Sequence, residues 1–179
     1  MKQFLYMLVL LSIFGCKHSE AKNGRRYQQA SIVAKTLLKP DTYKVVGVKD
    51  GDTFVVLIDN KEQVVRLEHI DCPEKKQAFG SKAKQIASDL CFGQYVQLKH
   101  KYKYDRNKRL IAEVILKNGV NVNKELVKKG LAWHFKKYSD NLDYAKLEIK
   151  ARKLRVGVWS DPTPIAPWEF RKMKKKKVK

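Results

Sequence analysis

Four carboxylates stand in two short clusters, Asp50-Gly51-Asp52-Thr53 and Asp71-Cys72-Pro73-Glu74. Taken singly, each has the composition of an ordinary turn, because Asp and Gly close turns and cap helices far more often than they catalyse. Taken together they offer something else. A hard cation such as calcium collects several oxygen ligands from carboxylates, carbonyls and water, and two acidic turns meeting at one end of a small fold would supply them. Arg66 precedes the second cluster, and Arg109 closes a charged loop further on. A guanidinium is planar, permanently charged and able to grip a phosphate with two parallel hydrogen bonds. Water attacking a phosphodiester builds negative charge on the non-bridging oxygens, so a cation and two such forks would stabilise the transition state more than the ground state. A carboxylate within hydrogen-bond reach, which Glu74 could be, would orient or deprotonate such a water. Each residue also has a plain structural use: Arg66 on an exposed strand face, Arg109 in a solvated loop, Glu74 at the surface, Asp52 and Asp71 as turn formers. Strand alternation sets Arg66 and Asp71 on opposite faces, so the chain must bend between them for both to serve one site. Pro73 fixes its own backbone angle and restricts its predecessor, which predicts an irregular exit there.

The elements that must position these residues are legible from turn signals and periodicity. Residues 43–48 and 53–58 are β-rich runs flanking Lys49-Asp50-Gly51-Asp52, whose Asp-Gly predicts a hairpin. Asp59-Asn60-Lys61 then turns the chain into residues 63–67, giving a three-strand meander. Ala83, Ile86, Ala87 and Leu90 recur at helical spacing, with Ser81 available as N-cap. Two further strands, 95–99 and 110–116, are joined by the charged loop 101–108. Asn118-Gly119 leads into a short helix over residues 123–129 that Gly130 closes. Tyr144, Leu147, Ala151 and Leu154 mark an apolar helical stripe. The order implies an α+β fold on a closed or nearly closed antiparallel barrel, since closure removes exposed strand edges.

The stretches VKDGDTFVV, Arg66-Leu67 leading into HIDCPE, DRNKRLIAEV, ELVKKGLAW and RVGVWS, spread over residues 43–168, resemble the ordered motif set of the staphylococcal nuclease family. That resemblance implies an OB-fold, a five-stranded antiparallel barrel with three helices. It also implies calcium-dependent hydrolysis of DNA and RNA to 3′-phosphate products. By the same resemblance Asp52 and Asp71 are calcium-binding carboxylates, and Cys72 occupies a position, often threonine, that lends the ion its backbone carbonyl. Arg66 and Arg109 match the arginines that hold the scissile phosphate, and Glu74 the glutamate that orients or activates water. Asp50 belongs behind the metal carboxylates. Tyr138 matches a nucleotide-contacting tyrosine, whereas Lys136 stands where a second tyrosine is usual. Trp133, Trp159 and Trp168 follow the family's packing pattern. The loop Asp105-Arg106-Asn107-Lys108-Arg109 departs from it, with Asn107 and Lys108 where an aromatic residue and a glycine commonly precede the arginine. A base-stacking contact is lost, and Asn107 is expected to carry the left-handed turn.

The ends and the charge bound the setting. With 39 Lys and Arg against 18 Asp and Glu, the formal net charge is +21, which implies a polyanionic partner but names no activity. Residues 4–14 form an apolar run too short to span a bilayer and placed as an export signal. Ile13-Phe14-Gly15-Cys16 resembles a lipobox, so residues 1–15 are expected to be a signal peptide and Cys16 to carry lipid. Residues 16–40 then form a tether, 41–170 the domain, and 171–179 a solvated basic tail with seven Lys or Arg in nine positions. The expected location is the cell envelope, at the outer membrane or cell surface, or secreted if Cys16 is not acylated. A monomer with no protein partner is expected. An oxidising compartment permits a Cys72–Cys91 disulfide, and a zinc site with His69 and His100 competes for the same cysteines without finger-like spacing. A non-catalytic single-strand-binding OB module and a basic envelope lipoprotein are the other functional classes these features allow.

Overall fold

The computed structural model describes residues 42–177. The expected signal peptide, Cys16 and the tether lie outside the described residues. Strand β1 (Thr42–Asp50) turns through Gly51 into β2 (Thr53–Ile58), which turns again into β3 (Lys61–Leu67). Asp59 and Asn60 both adopt positive φ, 49° and 62°, the type I′ geometry whose twist matches that of the flanking strands. A short β4 (Ile70–Asp71) follows, then α1 (Gly80–Cys91), β5 (Tyr95–Tyr104) and β6 (Leu110–Leu116). The chain continues through α2 (Val122–Lys128), β7 (Trp133–His134), α3 (Leu142–Lys153), a 3-10 turn (Gly157–Ser160) and α4 (Pro167–Lys177). Strands β1-β2-β3-β6-β5 close into a barrel, while β4 and β7 pair as a separate ribbon.

The expected barrel is present, an OB-fold in an α+β setting, with one seam that is not antiparallel. β3 and β6 run parallel, with Val65 opposite Leu110 and Arg66 opposite Ile111. The reason is parity: an odd number of strands cannot alternate direction all the way round a closed ring, so one neighbouring pair must agree. Inside the ring lie Val45, Phe54, Val56, Val65, Val96, Ala112 and Val114, all fully or almost fully buried. Their β-branched and aromatic character suits a pleated surface packed on one side.

The helices cover the barrel and differ from expectation at their ends. Helix α1 buries Ala83, Ala87 and Cys91, but Ser81 lies inside its first turn and Phe79, at φ 63°, holds the cap position without a side-chain hydrogen bond. Asn121 caps α2 by accepting from the Lys124 amide at 3.0 Å, and Gly130 ends it with the anticipated left-handed φ of 64°. In α3 the buried face is Tyr144, Glu148 and Ala151, whereas Leu154, counted in the apolar stripe, is exposed. Glu148 is buried because Lys136 and Arg152 reach it at 3.2 and 3.4 Å. Among the described residues there are four α-helices rather than three. The fourth runs through the segment expected to be an unstructured tail. Pro167 suits its first position because the missing N–H would have no helical acceptor there. Trp168 anchors it by stacking on Phe135, with ring centroids 5.3 Å apart and planes within 4°.

Tyr144 is buried with its hydroxyl donating to Glu113, and Asn121 donates to the same carboxylate oxygen at 2.9 Å. Burial pushes the Glu113 carboxyl up, but these hydrogen bonds and the nearby His69 and Lys99 outweigh it and hold it below the usual range. A depressed carboxylate contributes stability above its unfolded-state pKa and loses it as pH falls through the folded value. Tyr144→Phe is therefore expected to cost roughly 2 kcal/mol at neutral pH and clearly less near pH ~3, measured by urea denaturation at the two pH values.

Candidate active site

The two acidic turns meet at one end of the barrel because Gly51 lets them. A Cβ built on Gly51 would lie 2.9 Å from the Cβ atoms of Ala83 and Cys72 and from the Cys72 sulfur. The Cys72 amide donates to Asp52 Oδ2 at 2.7 Å, tying one cluster to the other. Asp71 is held between Ile70 and the ribbon partner Trp133. The bend that brings it to the face of Arg66 falls at His69, whose φ is 69°, rather than at Pro73. The Glu68 amide, just before the bend, donates to the Ala112 carbonyl at 2.8 Å, so the chain leaves the barrel from a fixed point.

Arg66 sits opposite Thr53 in the β2–β3 register. Its Nη2 lies 3.1 Å from Asp52 Oδ2 and 2.9 Å from Asp71 Oδ1, and its Nη1 donates to the Leu67 carbonyl at 2.7 Å. Arg109 enters from the loop before β6. Its Nε donates to Asp105 Oδ2 at 2.7 Å, and its Nη1 to the Thr53 hydroxyl at 3.2 Å. Thr53 in turn donates to Asp52 Oδ1 at 3.2 Å, which joins Arg109 to the acidic cluster. Sequence reasoning missed Thr53 as this link, although it is the fourth residue of the first cluster.

Both Asp52 and Asp71 are buried. Burial, then the charge of Asp52, raises Asp50 to about 6. Burial also raises Asp71, against the pull of Arg171 and Arg66. Asp50 Oδ1 accepts from the Asp52 amide at 3.2 Å, behind the two inner carboxylates. Like charges held this close fit a hard cation, and the available donors are oxygens, as such an ion requires. Among the described residues no three His, Cys, Asp or Glu side chains form a ready-made cage. An ion here would rest on Asp52 and Asp71 and complete its coordination with carbonyl and water oxygens. The thiols stand apart from this chemistry: Cys72 and Cys91 are both free and buried. Burial raises Cys72 well above the usual thiol value and Cys91 to about 12.

Glu74 lies beside the cluster with its side chain 41% exposed, within reach of solvent. Its Oε1 accepts from Arg171 Nη1 at 2.6 Å, and Arg171 Nη2 donates to Asp71 Oδ2 at 2.6 Å. Arg171 was expected in the solvated tail; helix α4 carries it into the site instead. The one signal was its type, an arginine heading a run of lysines, where a planar fork suits paired carboxylates better than an ammonium does. Tyr138 is exposed and packs edge-on against Phe135 with centroids 4.8 Å apart, outside the hydrogen-bonded network of the acidic turns.

The staphylococcal nuclease homologue model matches residues 64–161. A Haemophilus influenzae protein named as an uncharacterized endonuclease is 42% identical over 146 residues, 81% of each chain. A micrococcal nuclease of Shigella flexneri is 38% identical over 141 residues, covering 74% of this chain and 81% of its own. The chain belongs to the staphylococcal nuclease family.

The Arg109 loop is where the structure corrects the expected turn. Lys108, not Asn107, adopts the left-handed conformation, with φ 59°. Asp105 Oδ1 accepts from the amides of Asn107 and Arg109 at 2.9 and 3.0 Å, which winds the loop and leaves Lys108 at its crest. Burial raises the Asp105 carboxyl, but the Arg109 hydrogen bonds outweigh it and keep it ionised below the usual range. A residue with a Cβ is strained there, so Lys108→Gly should stabilise the fold by roughly 0.5–1 kcal/mol, seen as a higher denaturation midpoint. Gly51→Ala should do the reverse, costing on the order of 2 kcal/mol, because the added methyl forces the two acidic turns apart.

Proposed function

We propose that this chain is a calcium-dependent phosphodiester hydrolase that cleaves DNA and RNA to 3′-phosphate products. The observation that carries the proposal is the continuous network Arg109–Thr53–Asp52–Arg66–Asp71, which gathers two guanidiniums and two carboxylates at one barrel end. Asp52 and Asp71, with the backbone carbonyl of Cys72, would hold the ion. Calcium, when bound, supplies a Lewis acid and a template for the phosphate. Arg66 and Arg109 grip the non-bridging oxygens and match the charge that grows there during attack. Glu74 orients the attacking water and accepts its proton at the carboxylate, which its exposure leaves open to solvent. A surface pocket lined by Lys49, Lys75 and Lys84 beside Asp50 would attract a polyanion to this end of the domain. Tyr138 would add a partly solvated ring for a base.

The same proposal places the protein in the cell envelope as a monomer, lipid-anchored through Cys16 at the outer membrane or cell surface. It would be secreted if Cys16 is not acylated. This rests on the Ile13-Phe14-Gly15-Cys16 sequence at the end of the leader-like run. Among the described residues no helix is long and apolar enough to cross a membrane.

End-labelled single-stranded DNA and RNA, incubated with the protein in calcium or in chelator, test the activity. Cleavage is expected only with calcium; salt-sensitive binding without scission under any condition from neutral to alkaline pH would make the chain a binding module instead. Glu74→Gln is expected to lower kcat by about 10²–10⁴-fold with little change in KM. Equal losses in both would remove Glu74 from the role of water-orienting group.

A further inference from the structure

Both oxygens of Asp71 already carry a guanidinium nitrogen, Arg66 Nη2 on Oδ1 at 2.9 Å and Arg171 Nη2 on Oδ2 at 2.6 Å. Arg171 also covers Glu74 Oε1 at 2.6 Å, so one side chain occupies a metal-type carboxylate and the water-orienting one together. A divalent ion brought against Asp71 meets two cations, and the like-charge repulsion is steep at these separations. Both contacts must give way for the ion to seat, and they differ in how far they can move. Arg66 has little range: its side chain is 13% exposed and its Nη1 is held by the Leu67 carbonyl, so it pivots within the barrel wall away from Asp52 and Asp71 toward the phosphate it is proposed to grip. Arg171 is 41% exposed, and among the described residues its guanidinium pairs with Asp71 and Glu74 alone. The helix that carries it need not undock, because Trp168 stays stacked on Phe135 and Gln77 Nε2 donates to the Ile165 carbonyl at 2.5 Å. Rotation about the Arg171 side chain is sufficient.

We propose that Arg171 is a built-in competitor for the metal: its guanidinium holds Asp71 and Glu74 until calcium displaces it, and this contact sets the calcium concentration at which the site is filled. The inference rests on the calcium reading of the site. It differs from a catalytic assignment because Arg171 acts before the ion arrives, not on the phosphate. Its sign is distinctive too. Deleting an ordinary structural partner of a ligand carboxylate loosens the ligand and weakens metal binding, whereas deleting a competitor strengthens it.

Isothermal titration of calcium into the full chain, compared with Arg171→Ala and Arg171→Lys, decides the matter, with circular dichroism confirming that each variant is folded. The alanine variant is expected to bind calcium about tenfold more tightly, the size of a charge-assisted pair removed from competition. The lysine variant, which keeps the charge without the fork, should fall nearer the parent. Arg171→Gln serves the same purpose if the alanine variant does not fold. Unchanged or weaker binding in the neutral variants overturns the competitor role, and leaves the nuclease proposal standing if the parent still cleaves DNA with calcium. No calcium binding by any of the proteins overturns the metal reading and the competitor role with it.

Discussion

Asp50, Asp52 and Asp71 are crowded into a partly dehydrated corner, where burial and the charge of Asp52 raise the proton affinity of Asp50 and Asp71. Such a corner is stable only if positive charge reaches it, and much of the surrounding structure can be understood as the means of delivering it. Arg66 is built into the barrel wall between Asp52 and Asp71. The Cys72 amide and the Thr53 hydroxyl donate to the two oxygens of Asp52. Arg171 arrives from the far end of the chain. Unpaired, these carboxylates would cost several kcal/mol each. Paired, they form an acidic cluster that carries its own counterions.

Barrel closure decides where that corner can be. The parallel seam between β3 and β6 sets Arg66 beside Ile111, two residues after Arg109. The guanidinium from the wall and the guanidinium from the loop therefore reach the same rim from adjacent strands. The seam also brings the Glu68 amide onto Ala112 as β3 ends, so the chain turns toward the acidic corner from a defined position. His69 completes the turn by adopting a left-handed φ.

The parts of this arrangement that were legible in the sequence are those with local signatures. Asp-Gly and Asp-Asn turns, β-branched runs and the paired acidic tetrapeptides each depend on a few neighbouring residues, and they fall where local rules place them. What escaped notice depends on contacts far apart in sequence. Arg171 reads as one charge in a basic run, because its partners lie about a hundred positions earlier. Glu148 hides in a helical stripe because burial of a carboxylate depends on Lys136 and Arg152 being near it. Lys108 was passed over for Asn107 on intrinsic preference, yet Asp105 winds the loop and hands the left-handed angle to the next residue. Propensity lost there to a side-chain hydrogen bond.

Thr53 carries a single proton and gives it to Asp52, so toward Arg109 it can present only lone pairs. The chain from Arg109 through the hydroxyl to Asp52 accordingly has a fixed polarity, and each link polarises the next. A change in the electron density at Asp52 is felt at the distant guanidinium without either residue moving. Serine would preserve that wiring; valine, nearly the same shape, would cut it and leave the two halves of the rim electrically deaf to one another.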